Sequence, residues 1–274
     1  MKTYIPVLSI AGSDSSGGAG IQADLKTFSA LGCYGMTVIT ATTAQNTQGV
    51  RDIHSIPVSH IAAQLDAILE DIMPKAIKIG MIDRPEVVDC LVEKLKGLAI
   101  PIVFDPVMVA TSGDRLIREE TIEVIKEKLF PITTLLTPNL DETEILCGFE
   151  IHTLEEMKKA AAYLQKFIPN AVLIKGGHLQ TEMIQDLLVF SDGKERVFES
   201  EKIQSSNVHG TGCSLSAAIA AELAKGHELE EAVTKARNYI YQAILNGKTV
   251  KTGKGNGPLN HFYDPQKQII NEME

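Results

Sequence analysis

No two of the chain's four cysteines, Cys33, Cys90, Cys147 and Cys213, form a C-x-x-C pair, so neither a zinc ribbon nor a disulfide framework is suggested. That usage fits a reducing cytoplasm. No apolar run approaches the ~20 residues of a bilayer-spanning helix, and residues 1–6 lead into a strand-like stretch without the apolar core of a signal peptide. Positive charge is scarce. With 26 Lys+Arg against 35 Asp+Glu the net charge is −9, which offers no field to nucleic acid or anionic lipid. An anionic ligand must then be held locally, by backbone N–H groups, lysine or metal. Repeats, low-complexity tracts and linkers are also missing from the 274 residues, of which 44% are hydrophobic. One domain spanning residues 1–274 with a substantial core is expected.

What is present centres on Asn207-Val208-His209-Gly210-Thr211-Gly212-Cys213-Ser214 and the Ala/Leu-rich run that follows. Gly210 and Gly212 can adopt backbone angles closed to other residues, which lets the amides around Thr211 converge on one anion. The run from Ser214 to a stop at Gly226 reads as a helix, whose positive N-terminus adds to those amides. Cys213, in the first turn, is expected to have a lowered thiol pKa and to serve as a base. Neither this loop nor residues 12–20 is a Walker A motif: Gly17 is followed by Gly18, and Gln242 stands where Gly247-Lys248-Thr249 would need the first glycine.

Strand-like runs at residues 7–12, 36–43, 76–80, 102–105, 134–137 and 171–175 alternate with helical patterns. Ile21, Leu25 and Phe28 mark one helix, Ile61, Leu65, Ile68 and Leu69 another, and Val87, Val88, Leu91, Val92 and Leu95 a third. This predicts an α/β fold of three layers, α/β/α, with a mostly parallel central sheet and helices on both faces. Residues 187–190 and 195–199, around Asp192-Gly193, predict an antiparallel edge hairpin. A further long helix is expected over Leu229 to Ile244, then a loop at 251–258. In such sheets ligands bind beyond the carboxyl ends of the strands. Gln45, Met81, Asp105, Asn139 and Lys175 close their segments and are expected to share that edge.

In chain order, Ala11-Gly12-Ser13-Asp14-Ser15-Ser16-Gly17-Gly18-Ala19-Gly20, Thr43-Ala44-Gln45-Asn46-Thr47, Lys78-Ile79-Gly80-Met81, Asp105-Pro106-Val107-Met108, Thr137-Pro138-Asn139-Leu140-Asp141-Glu142, Lys175-Gly176-Gly177-His178 and His209-Gly210-Thr211-Gly212-Cys213 resemble the ribokinase-like superfamily. Within it the resemblance is to the hydroxymethylpyrimidine/phosphomethylpyrimidine kinases of thiamine biosynthesis. It implies a ribokinase-like fold, ATP as phosphoryl donor, Mg²⁺ and a homodimer.

By that resemblance Gly12, Ala19, Asp24, Gln45, Met81 and Val107 line a pyrimidine pocket. A Gln amide offers the donor and acceptor that an aminopyrimidine edge needs, and Met81 and Val107 supply apolar faces. The same resemblance gives catalysis to Gly210, Thr211, Gly212, Cys213 and Lys175, the nucleotide to Asn139, Lys175 and Thr211, and the metal to Asp105 and Glu142. Mg²⁺ keeps several waters, so two carboxylates and phosphate oxygens suffice. Asn139 is also expected to cap the helix it begins, and His178 and His209 are given no catalytic role. Many superfamily kinases carry Asp where this chain has Cys213. Related pyridoxal kinases tend to carry a lid cysteine where this chain has Ala110, and lack the glutamine found here at Gln45. The alternatives are a pyridoxal or pyridoxine kinase, a non-catalytic pyrimidine-binding protein, and a cysteine hydrolase, which would need a histidine beside Cys213.

Overall fold

The computed structural model describes residues 2–108, 117–177 and 183–272. The chain opens with β1 (Lys2–Tyr4), β2 (Pro6–Asp14), α1 (Gly20–Ala30), β3 (Tyr34–Asn46), β4 (Gly49–Ser55), α2 (Val58–Leu69), β5 (Ala76–Ile79), α3 (Pro85–Leu95) and β6 (Ile102–Phe104). Next come α4 (Glu119–Val124), which runs into a π turn at Ile125–Leu129, then β7 (Leu135–Leu136), α5 (Leu140–Cys147) and α6 (Leu154–Leu164). The remainder is β8 (Ala171–Ile174), β9 (Met183–Phe190), β10 (Glu195–Glu201), α7 (Thr211–Ala224), α8 (Leu229–Gly247) and β11 (Ile270–Glu272).

Nine strands form one sheet in the order β10-β9-β8-β7-β6-β5-β2-β3-β4. From β8 to β3 neighbours run parallel; β9 and β10 at one edge and β4 at the other are antiparallel. Successive residues of β2 face opposite ways, so Leu8 and Ile10 join Val38, Ile77 and Ile79 beneath α2, α3 and α6, while Val7 joins Val103, Leu135 and Leu173 beneath α1, α7 and α8. The three layers follow. The chain moves from β2 to β3 on one side and later to β5 on the other, so the strand order reverses beside β2 and leaves a crevice at the strand ends there.

Three elements depart from the expected layout. β4 is a second antiparallel edge; its exposed run of Arg51, Asp52 and His54 carries no buried alternation to reveal it. β1 and β11 pair antiparallel, Lys2 with Glu272, in a small separate sheet. Residues 251–258, expected as loop, contain neither helix nor strand.

Candidate active site

A cavity of about 1080 Å³ opens at the carboxyl ends of the parallel strands. α7 points its N-terminus into it and begins three residues earlier than its composition implies, so Thr211, Gly212 and Cys213 form its first turn. Gly210 sits at the cap with φ +83°, and a Cβ there would run into the Gly18 carbonyl. Gly212 is helical and is not strained, contrary to expectation. Its value is space, since a Cβ would lie 3.3 Å from Lys175 Nζ and 3.6 Å from Asp105 Oδ2. The helix's opening amides thus face a lysine and a carboxylate across a gap that no side chain fills. α7 is alanine-rich because it is buried on nearly every side, Ala217, Ala218, Ala220 and Ala221 having no exposure.

Cys213 departs from its expected chemistry. Burial pushes its thiol pKa up to about 11; Lys78 pulls it down, while Asp24 and Asp105 oppose that. Desolvation of a thiolate in a closed site outweighs the helix dipole. The Gly20 amide favours the thiolate without offsetting burial. Among the described residues no histidine bonds to Cys213: His209 pairs with Asp14 and His261 with Ser214. The dyad of a cysteine hydrolase is not formed.

The acceptor side is built around Asp14. Its carboxylate accepts from the amides of Ser16, Gly18 and Ala19, from the Ser16 hydroxyl, and lies 3.0 Å from His209 Nε2. Burial opposes the charge, yet the His209 bond and those of Ser16 and Ala19 bring the pKa down to about 2. His209 therefore ties the glycine-rich turn after β2 to the residue that starts the anion hole. Gly12, Ala19, Gln45, Met81 and Val107 all line the cavity. Gln45 lies at a bulge in β3 and its Oε1 accepts from Thr43 Oγ1 at 3.1 Å. The segment 251–258 straps this corner, with Lys254 and Gly255 amides donating to Thr47 Oγ1, Asn256 to Thr47 O, and His209 to Gly257 O.

Asp24 is not in the pocket. It is fully buried behind it, 2.9 Å from Lys78 Nζ and 2.5 Å from Ser9 Oγ. The cavity is bordered instead by Lys78, which the sequence reading quoted in a motif but gave no role. A lysine inside the otherwise apolar Ala76-Ile77-Lys78-Ile79 strand was the available signal: a charge there needs a buried partner. Asp14 and His209 were likewise quoted without a role in the site.

On the donor side Lys175 Nζ lies 2.8 Å from Asp105 Oδ1. Asn139 caps α5 as expected: its side chain accepts from the Glu142 amide while Glu142 Oε2 accepts from the Asn139 amide. Burial pushes the Glu142 carboxyl up to about 7 despite Lys175, with Asp105 adding to the rise. Among the described residues no group of three His, Cys, Asp or Glu is arranged to hold a metal ion. Asp105 and Glu142 do both line the cavity. Two hard oxygen donors, one pushed toward neutrality by burial, fit a cation held through water. Toward β10 and α8 the cavity continues past Lys202, Gln204, Arg237 and Tyr241, none of which the sequence reading named. His178, Ala110 and most of the loop from Met108 to Asp114 lie outside the described residues.

A family model described as phosphomethylpyrimidine kinase matches residues 14–260. The chain belongs to the phosphomethylpyrimidine kinase family. A relative from Rhizobium meliloti, named hydroxymethylpyrimidine/phosphomethylpyrimidine kinase, is 48% identical over 258 residues, covering 93% of this chain and 96% of that one. The crystal structure of phosphomethylpyrimidine kinase from Clostridium difficile is 45% identical with a TM-score of 0.78, covering 88% of this chain and 99% of its own. The pyridoxal kinase of Staphylococcus aureus in complex with AMP-PCP is 34% identical with a TM-score of 0.88, covering 99% and 100%. The fold is thus common to two kinds of vitamin kinase, and the identity is higher to the pyrimidine kinases.

Proposed function

We propose that the chain transfers the γ-phosphoryl group of ATP to the primary alcohol of 4-amino-5-hydroxymethyl-2-methylpyrimidine, then to the resulting monophosphate, giving the diphosphate used for thiamine diphosphate. The observation that carries this is the meeting, in one cavity, of the α7 N-terminus with the Lys175–Asp105 pair on one side and the Gln45, Met81 and Val107 wall on the other.

The ring stacks between Met81 and Val107 while Gln45 pairs its polar edge. The attacking oxygen then lies near Cys213, and the transferred group reaches the amides of Gly212 and Cys213, whose fixed dipoles stabilise its equatorial charge. Lys175 leaves Asp105 for the phosphates of ATP. Mg²⁺, held through water by Asp105 and Glu142, would neutralise the donor's charge. The thiolate form of Cys213 takes the proton of the alcohol late in the transfer, when the forming ester bond has made that proton acidic. The chain works as one kinase unit in the cytoplasm, with no nucleic acid or membrane partner.

Steady-state turnover with ATP and each alcohol tests the reading, the pyrimidine being preferred to pyridoxal. A much faster reaction with pyridoxal overturns it in favour of the vitamin-kinase relatives. Turnover of neither alcohol, with binding of the pyrimidine retained, leaves a silent binding protein.

A further inference from the structure

The two acceptors differ in charge. The alcohol is neutral, whereas a monophosphate brings roughly −1.5 to −2 at neutral pH into a cavity that already receives the phosphates of ATP. Five described residues lining the cavity can carry positive charge: Lys78, Lys175, Lys202, Arg237 and His209. Three of these face carboxylates and a fourth lies in solvent. Lys175 serves the donor side beside Asp105, Arg237 Nε is held 2.8 Å from Asp186, Lys202 is exposed just beyond β10, and His209 is bound to Asp14.

Lys78 differs from all of these. It sits in β5 opposite Ser9 of β2, where the strand order reverses. Its side chain has no exposure, and its Nζ bonds to Asp24 Oδ1 and Oδ2 at 3.1 and 2.9 Å. An ammonium has three N–H donors, and among the described residues these bonds to one carboxylate are its only ones. Gly80 leaves room above it, since a Cβ there would come within 2.8 Å of Nζ. Burial alone would neutralise the amine, but Asp24 holds it charged. In so dry a site an under-used cation acts over several ångströms.

We infer that Lys78, steadied by Asp24, is the specificity residue for the second phosphorylation, receiving the charge of the monophosphate acceptor. In that step an acceptor phosphate oxygen bonds to the γ-phosphorus as the bond from that phosphorus to the β–γ bridging oxygen breaks and ADP departs. The dianionic acceptor loses no proton, so the second step needs a cation where the first needs a base. This inference rests on the kinase reading above.

The test compares wild type, Asp24→Asn, and the double variant Lys78→Met with Asp24→Asn, which leaves no buried charge without a partner. Calorimetric binding of each acceptor and single-turnover rates at saturating ATP and Mg²⁺ are measured. For the double variant, the ratio of monophosphate to alcohol use is expected to fall at least tenfold in both measurements. With Asp24→Asn, which removes the carboxylate that keeps the buried amine charged, the ratio is expected to fall as well. Equal loss for both acceptors in the double variant marks the pair as structural and overturns the inference while leaving the kinase reading intact. Wild type that takes neither acceptor overturns both. Should the double variant not fold, the single variant decides: a tenfold fall in its ratio supports the inference, and a maintained ratio or equal loss for both acceptors overturns it.

Discussion

With its pKa pushed up to about 11, the Cys213 thiol is protonated at neutral pH, and each pH unit below that value removes a factor of about ten from the thiolate. If the thiolate accepts the alcohol's proton, the single-turnover rate for the alcohol rises with pH between 7 and 9 with a slope near one. The monophosphate, whose second pKa is about 6, has no proton to lose, and its rate is level over that range. A level profile for the alcohol means the proton goes elsewhere. Cys213→Ala is expected to slow the alcohol step by about 10²–10⁴, as general-base losses go, and the monophosphate step distinctly less. Glu142→Gln should raise the Mg²⁺ concentration needed for half-maximal rate, because a neutral amide replaces the carboxyl that metal-bound water would face. An unchanged Mg²⁺ titration removes Glu142 from the metal site. Gln45→Met leaves the pyrimidine edge unpaired, at about 1–3 kcal/mol, so discrimination between pyrimidine and pyridoxal should fall roughly tenfold; equal losses for both make Gln45 structural.

Among the elements, α7 depends most on a single residue. Gly210→Ala puts a Cβ at φ +83° against the Gly18 carbonyl, so either the helix start or the glycine-rich turn must move. A displacement of about 1 Å can slow a reaction roughly 10²-fold, and that fall in kcat is expected for both acceptors, with helix content by circular dichroism retained. A variant with wild-type kcat shows that the approach of the two turns is unimportant. The parallel strands, the long helices and the β9–β10 hairpin were legible because each has a buried face with its own period. β4 was not, since none of its residues is fully buried and they leave no pattern. Site residues at segment ends could be read from their place beyond the strands. Asp24 was misplaced for a physical reason: a carboxylate near a glycine-rich turn suits a ligand as well as it suits a buried lysine, and only the packing of Lys78 against β2 decides between them. The pKa of Cys213 went the other way because a sequence shows the helix dipole and hides the burial.

For the molecule as a whole, His261 sets part of the acid limit. Burial lowers its pKa from 6.5 to about 4, with Nε2 bonded to the Ser214 hydroxyl. The unfolded chain therefore takes up the proton first as pH falls, so stability present above pH 6.5 is lost on the way to 4, on the order of 3 kcal/mol. Glu142 has the opposite sign, its raised pKa favouring the protonated folded state over an overlapping range. The measurement is thus a difference: relative to His261→Gln, wild type should lose that amount in urea unfolding between pH 6.5 and 4. A constant gap means that His261 is not buried in its neutral form. Association is a separate matter. The homodimer expected from the resemblance predicts twice the 29.8 kDa of the chain by sedimentation equilibrium, and a monomer at micromolar concentration sets it aside.

The strap at 251–258 carries a temporal consequence. A ribosome delivers the glycine-rich turn and the β3–β4 hairpin first, and the first turn of α7 some 150 residues later. The carbonyl of Gly257 that accepts from His209, and the amides of Lys254 and Gly255 that hold Thr47, arrive only after α8. Domains fold as synthesis proceeds, so the sheet can be complete while both walls of the cavity still lack their common brace. A nascent chain released before residue 258 would lack that brace, together with Leu259 of the core and the His261–Ser214 bond, and so could not yet align the cavity for transfer.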